Sequence, residues 1–305
     1  MIGENLITGI VDIGSNTIRL NVYNINEENF ELMLSKKVSA GLINYKKNKI
    51  LNEQGIKILI STIQDFKKIL DFLNIKNYHF FATASLRNIK NKDNVLKQVK
   101  DKTGISIELI SGKEEAQLSF QGVVSSIKEK DGVLIDLGGG STEIVIFEDS
   151  KSKLTFSLPI GSLSLFNKYV NHMLPTYEEA EDIREEVFHQ LKVLKVPHLK
   201  IKNMVGVGGT IRAIKKLLIS EGLQDESNNL IFSSLLKEVE KDLKHNDKKT
   251  YMKILKVKAS RIHNLVPGLI VIDAISDYIG EREIQACKFG VREGYLNSKI
   301  INDSE

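Results

Sequence analysis

Val133-Leu134-Ile135-Asp136-Leu137-Gly138-Gly139-Gly140-Ser141-Thr142-Glu143-Ile144-Val145-Ile146-Phe147 reads as a strand, a glycine turn and a second strand. The same grammar opens the chain between Ile7 and Tyr23. With Asp12 laid on Asp136, an offset of 124 residues, Gly14 meets Gly138 and Thr17 meets Ser141; Leu20, Val22 and Tyr23 meet Ile144, Ile146 and Phe147. A repeat at about one domain's length implies two related α/β domains facing each other. The expected division is 1–118 and 119–305, with the last helix able to pack back on the first domain.

Working outward, helical periodicity runs from about Gln54 to Leu73, placing Ile56, Leu59, Ile60, Ile63, Phe66, Ile69 and Leu70 on one face. A strand at Tyr78–Thr83, a polar helix near Asp93–Lys102, a strand at Ile105–Ile110 and a helix at Glu114–Ser126 complete the first half. After the second repeat come a helix-rich insert at Thr176–Leu194, a strand at Asn203–Val207, and the turn Gly208-Gly209-Thr210 leading into a helix at Ile211–Ser220. Lysine-rich amphipathic helices fill Phe232–Leu255, and a strand at Ile284–Lys288 precedes a final helix from about Val291.

The 305 residues are 42% hydrophobic and 27% charged, the balance of a globular protein with a sizeable core. The net charge of +4 comes from lysines spread along the chain, which argues against a nucleic-acid partner. Cys287 is the only cysteine, excluding an intramolecular disulfide and a cysteine-based metal site. His79, His172, His189, His198, His245 and His263 lack metal-ligand spacing, so no zinc site is expected. No apolar run approaches the roughly 18 residues of a membrane span, and Met1 to Asn5 begin no signal peptide. The expectation is a cytoplasmic protein with no membrane partner.

A polyphosphorylated substrate carries dense negative charge, and binding it needs backbone N–H groups turned inward at close approach, which glycine permits. Gly14-Ser15-Asn16-Thr17 and Gly138-Gly139-Gly140-Ser141-Thr142 are two such turns. Gly206, Gly208 and Gly209 make a third, at a helix N-terminus that favours anions. Each alone reads equally well as a tight turn; three in one chain, two in matching frames, point to phosphate. Asp12 and Asp136 end the first strand of each repeat, and carboxylates there would repel phosphate unless a cation such as magnesium lay between. The plainer reading of either is a turn-stabilising side chain.

In Ser111-Gly112-Lys113-Glu114-Glu115, Ser111 and Glu114 have the spacing of a capping box. That engages Glu114 and leaves Glu115 to orient and deprotonate a water for in-line attack on phosphorus. The alternative is an acidic residue favouring the helix dipole.

Ile10-Val11-Asp12-Ile13-Gly14-Ser15-Asn16-Thr17, Ala82-Thr83-Ala84-Ser85-Leu86-Arg87, Ile110-Ser111-Gly112-Lys113-Glu114-Glu115-Ala116, Ile135 to Glu143, Gly206-Val207-Gly208-Gly209-Thr210 and Gly290-Val291-Arg292-Glu293-Gly294 occur in this order. Together they resemble the exopolyphosphatase / guanosine pentaphosphate phosphatase (Ppx/GppA) family over nearly the whole chain. The resemblance implies an α/β fold of two actin-like (ribonuclease H-like) domains with a cleft between them. It also implies magnesium- or manganese-assisted hydrolysis of a terminal phosphoanhydride. Glu115 would be the catalytic carboxylate; Asp136, with Asp12 and Glu143, would hold metal or water, and Arg87 would contact substrate phosphate. Asn16, Gly138, Gly139 and Ser141 would line the phosphate path, beside Gly14, Ser15, Thr17, Gly140, Gly208, Gly209 and Thr210. Such folds commonly dimerise, and a homodimer is an expectation on that ground.

Two departures stand out. The chain resembles the short members that lack a further C-terminal helical region. Arg261-Ile262-His263-Asn264-Leu265 stands where the family often has Arg-Ala-Asp, and His263 is expected to be a packing variant. The expected activity is exopolyphosphatase, with guanosine pentaphosphate (pppGpp) 5′-phosphohydrolase as the alternative. An actin-like-fold kinase and a catalytically idle nucleotide-binding sensor are the readings from other classes.

Overall fold

Ile10, Val11 and Ile13 on strand β1 (Leu6–Ile13) and Ile18, Leu20, Val22 and Tyr23 on β2 (Ile18–Ile25) are buried, as expected for a β-rich opening. The computed structural model describes residues 6–26, 29–198, 203–243, 248–280 and 283–301; His245 lies outside them. The chain divides into Met1–Ser111 and Gly112–Glu305, here units 1 and 2.

In unit 1, β2 is followed by β3 (Phe30–Val38), the short hairpin β4 (Lys46–Lys47) and β5 (Ile50–Leu51), and helix α1 (Glu53–Phe72). Asn52 caps α1 by accepting a hydrogen bond from the Gly55 amide at 2.9 Å. The helix buries Ile56, Leu59, Ile60, Ile63, Phe66 and Leu70 in the unit core. Next come β6 (Asn77–Ala82), α2 (Ala84–Arg87), α3 (Lys92–Thr103) and β7 (Glu108–Leu109), the last shorter than the strand expected over Ile105–Ile110. The sheet order is β3-β2-β1-β6-β7, with β1, β6 and β7 parallel.

Unit 2 begins with α4 (Gly112–Val124), then β8 (Gly132–Leu137), β9 (Thr142–Glu148), β10 (Lys151–Leu158), α5 (Ser162–Tyr169) and α6 (Tyr177–Val193). It continues with β11 (Met204–Val207), α7 (Gly209–Ser220), β12 (Leu230–Phe232), α8 (Ser233–Leu243), α9 (Lys248–Lys258), α10 (Leu265–Ile279), β13 (Glu283–Ala286) and α11 (Val291–Leu296). The sheet order β10-β9-β8-β11-β13 repeats that of unit 1, and β12 adds an antiparallel edge. The repeat is thus a complete topology, of which the sequence displays only the first two strands. Helix α10, buried at every position from Leu265 to Ser276, runs through the core. Its apolar residues surround it, so it carries little of the one-sided periodicity by which surface helices are found. No single helix among the described residues is long and apolar enough to cross a membrane.

The last helix packs on α4, within unit 2. Glycines make this approach possible. A Cβ on Gly294 would meet the Leu118 carbonyl oxygen at 1.8 Å, and one on Gly122 would meet that of Gly290 at 2.1 Å. Helix α5 is tied to α6 by Glu186, whose carboxylate accepts from Lys168 Nζ and Tyr169 Oη, each at 2.6 Å, and from Gln190 Nε2 at 2.8 Å. Burial alone would raise the Glu186 carboxyl, but these bonds together lower its pKa to about 2.

Gly294→Ala is expected to force α4 and α11 apart, at a cost of about 2 kcal/mol or more in urea unfolding; an unchanged midpoint contradicts this packing. For Glu186, the depressed pKa adds stability that is present above the unfolded-state value near 4.5 and lost as pH falls through about 2. Glu186→Gln is therefore expected to be about 1 kcal/mol less stable than wild type at neutral pH, the gap closing toward pH 2. Melting curves across that range test it, and a gap that persists at the acid end contradicts it.

Candidate active site

Each strand–turn–strand frame closes by the same backbone bond, Gly14 N–H to Thr17 O and Gly138 N–H to Ser141 O, both 3.0 Å. Each turn then hands its carbonyls to the segment following the third strand. In unit 1, Gly41 N–H donates to Asn16 O at 2.9 Å and Ile43 N–H to Ser15 O at 3.0 Å. In unit 2, the start of α5 does this: Ser162 N–H donates to Gly138 O, and Leu163 and Ser164 N–H to Gly139 O, at 2.9–3.1 Å. The Gly139 and Gly140 amides donate to no protein group among the described residues, which leaves them for an anion. Gly161 must be glycine, because a Cβ there would lie 2.7 Å from the backbone of Gly139, Gly140 and Ser141.

The third glycine turn comes from β11, which runs parallel to β8 with Val207 beside Asp136. Gly208 adopts φ +109°, a region that favours glycine. A Cβ at Gly208 would sit 2.6 Å from Leu137 O and 3.4 Å from Asp136 Oδ1. Helix α7 therefore starts directly against the Asp136 carboxylate. Arg261 crosses this turn and donates from Nη1 to Thr210 Oγ1 at 2.9 Å. His263 is exposed and lies against the Phe166 ring, with centroids 4.9 Å apart.

Three carboxylates of unit 2 share one electrostatic neighbourhood. Asp136 and Glu143 are directly opposed across the β8–β9 ladder, so their side chains rise from the same face. Glu115 is in the first turn of α4 and only 9% exposed. Glu143 is 1% exposed, and Ser157 Oγ donates to its Oε1 at 2.9 Å. Burial, followed by the charges of Glu115 and Asp136, raises the Glu143 pKa well above the usual carboxylate range, and bonds from Ser141 and Ser157 oppose this only in part. Ser119, one turn after Glu115 on α4, hydrogen-bonds Asp136 Oδ2. Glu114 pairs with Lys299 at 2.9 Å.

Unit 1 has the same backbone and a different charge balance. Opposite Asp12, at the position equivalent to Glu143, stands Arg19. Ser85 Oγ donates to Ile13 O and so fixes α2 at the end of β1. Arg87, the last residue of α2, donates from Nη1 to Ile110 O at 3.0 Å. Of the candidate residues, Asp12, Gly14, Ser15, Asn16, Thr17 and Arg87 belong to unit 1; Glu115, Asp136, Glu143 and the other two glycine turns belong to unit 2.

Arg212 was not among the candidates. It lies in the first turn of α7, half-buried, and its hydrogen bond to Lys288 O is long at 3.4 Å. Burial and the neighbouring Arg292 lower its pKa, against the pull of Asp136 and Glu293. A signal was available: the chain has only seven arginines among 43 basic residues, and arginine's planar fork suits phosphoryl oxygens better than lysine's point charge.

A sequence model of the Ppx/GppA phosphatase family matches residues 21–302. The chain belongs to this family. A solved PPX-GPPA enzyme of Aquifex aeolicus shares the fold with a TM-score of 0.78 and 25% identity, covering 97% of this chain and 100% of that one. The fold is thus the two-domain actin-like fold of the Ppx/GppA proteins. Exopolyphosphatase 1 of Mycobacterium tuberculosis is 24% identical over 319 residues, 97% of this chain and 89% of that protein. A bifunctional 3-dehydroquinate synthase/phosphatase of Fusobacterium nucleatum subsp. nucleatum is 31% identical over 297 residues. That match takes in 91% of this chain, which spans only 44% of that protein's length.

At neutral pH, above the unfolded-state carboxyl pKa, the raised pKa of Glu143 makes it destabilising whether it stays ionised or takes up a proton, and replacing it by Gln removes that cost. In divalent-free buffer the variant is expected to melt about 2 °C or more above wild type. A lower melting temperature would show that the buried carboxylate is stabilising in its own right.

Proposed function

We propose that the protein is an exopolyphosphatase, which hydrolyses the terminal phosphoanhydride of inorganic polyphosphate with a divalent cation and releases orthophosphate. The observation that carries this reading is the carboxylate trio Glu115, Asp136 and Glu143 beside the Gly138–Ser141 turn, in a chain of a phosphatase family. Guanosine pentaphosphate presents the same end group and is the alternative substrate.

Among the described residues no three His, Cys, Asp or Glu side chains are gathered to hold a metal ion by themselves. The donors nevertheless suit magnesium or manganese. Magnesium is ordinarily held by one or two carboxylates, with water and substrate phosphate completing its shell. A cation there would also relieve the repulsion that, after burial, raises the Glu143 pKa. Asp136, intermediate in exposure and set against α7, is the residue best placed to hold it, with Glu143, opposite it on β9, as a further candidate. When bound, the ion would supply positive charge to the phosphoryl oxygens.

The chain's own groups do the rest. In unit 2 the amides of Gly139 and Gly140 bind phosphoryl oxygens, and in unit 1 the Arg87 fork is a phosphate-binding group. Glu115 orients a water and takes its proton as the water oxygen bonds to the terminal phosphorus. The bridging P–O bond breaks on the opposite side, and the shortened chain leaves as an anion.

Phosphate release from short polyphosphate, long polyphosphate, guanosine pentaphosphate and ATP, with and without magnesium, tests the reading and ranks the substrates. Glu115→Gln is expected to lower kcat by at least about 100-fold while leaving the melting temperature and tripolyphosphate binding close to wild type. Retained turnover removes Glu115 from this role. No release from any of the four substrates rejects the hydrolase and favours a kinase or a binding-only sensor.

A further inference from the structure

The β4–β5 hairpin of unit 1 has no part in the reading so far, and its details are those of a ligand-facing element. Its two-residue turn, Asn48-Lys49, has φ +51° and +63°, the mark of a type I′ hairpin. Glycine is the usual residue at the second position; a lysine there holds a backbone that costs it stability. The hairpin is held at both ends. Before it, Gly41 and Ile43 bond the carbonyls of the Gly14 turn. On its far side, Lys90 N–H donates to Lys49 O at 2.6 Å, and the Asn91 side chain bonds both the amide and the carbonyl of Leu51, at 3.1 and 2.9 Å. Lys90 and Asn91 come soon after α2, which ends in Arg87, with Asn88 and Ile89 between.

Lys46, half-buried on β4, is therefore fixed between the first glycine turn and the segment bearing Arg87. Burial and the positive charges of Lys49 and Arg87 all lower its pKa. Among the described residues neither Lys46 nor Lys49 has a carboxylate partner. Lys46, partly desolvated beside exposed Lys49 and without a carboxylate of its own, is unfavourably placed unless an anion completes its surroundings.

We propose that Lys46 and Lys49, with Arg87, form a second anion site in unit 1 that takes a phosphate of the polyphosphate chain other than the one being hydrolysed. The site sets substrate affinity, not the chemical step, and rests on the reading of Arg87 as a phosphate-binding group.

The test measures tripolyphosphate and guanosine pentaphosphate binding to the full chain by calorimetry in EDTA, and steady-state hydrolysis with magnesium. Lys46→Met is expected to weaken tripolyphosphate binding about tenfold and raise KM similarly, with kcat within about twofold of wild type. Lys46→Arg should recover most of the affinity. Lys49→Gly is expected to raise the melting temperature, by removing the left-handed lysine, while weakening binding about threefold. Lys47→Met, an exposed neighbour on the same strand, should change binding by less than about twofold.

Normal hydrolysis by wild type, with Lys46→Met and Lys49→Gly binding as wild type does, overturns the site and leaves the hydrolase standing. Lys46-dependent tripolyphosphate binding without hydrolysis of any substrate supports the site and rejects the hydrolase. Failure of wild type to bind tripolyphosphate overturns the site, as does an equal loss in Lys47→Met. A loss confined to guanosine pentaphosphate overturns the assignment to a polyphosphate chain.

Discussion

Three carboxylates held close together repel one another, and the architecture around Glu115, Asp136 and Glu143 brings them together regardless. The β8–β9 register fixes Asp136 opposite Glu143, and the first turn of α4 adds Glu115. Among the groups that moderate the charge are hydroxyls, Ser119 on Asp136 and Ser141 and Ser157 on Glu143, and Arg212 lies within electrostatic reach of Asp136. Hydroxyls satisfy lone pairs without neutralising charge, and ionised Glu143 stays disfavoured by burial and by its two carboxylate neighbours, so a cation at this cluster would be stabilising. Its position is maintained by packing that tolerates little change. Helix α4 is held against α11 through Gly122 and Gly294, and the Gly138 turn is held against α5 through Gly161.

The duplicated frame shows how one backbone serves two electrostatic purposes. Both glycine turns surrender their carbonyls to the segment after the third strand, which orients the turns alike. The residue opposite the aspartate differs: arginine in unit 1, glutamate in unit 2. Unit 1 accordingly gathers positive charge near its turn, from Lys46, Lys49 and Arg87, whereas unit 2 gathers negative charge. Phosphate needs the first kind of surface, and a cation that accompanies phosphate needs the second.

The sequence discloses the parts of this arrangement that depend on local pattern. Apolar alternation around Asp12 and Asp136 locates β1–β2 and β8–β9, and the periodic face from Ile56 to Leu70 locates α1. Pattern fails for α10, which is apolar on all sides, and for β3, whose edge position leaves Leu32 and Met33 exposed among polar neighbours. The glycine turns and Glu115 were marked as candidates by residue type at short spacing, which local pattern can display. Arg212 was not, since its meaning comes from burial beside Arg292 and Asp136, which lie far from it in the chain. The exchange of Arg19 for Glu143 was present in the same 124-residue offset that reveals the repeat, and it acquires meaning only once the strands are paired.

The central claim is that the charge on the β8–β9 strand pair calls for a divalent cation. The most direct measurement is an anomalous difference map from crystals of the full chain grown with manganese and an uncleaved triphosphate analogue. The account predicts a manganese peak within coordination distance of Asp136, accompanied by analogue oxygens on the Gly139 and Gly140 amides. Analogue bound at that turn, with no metal on Asp136 or Glu143, would contradict it.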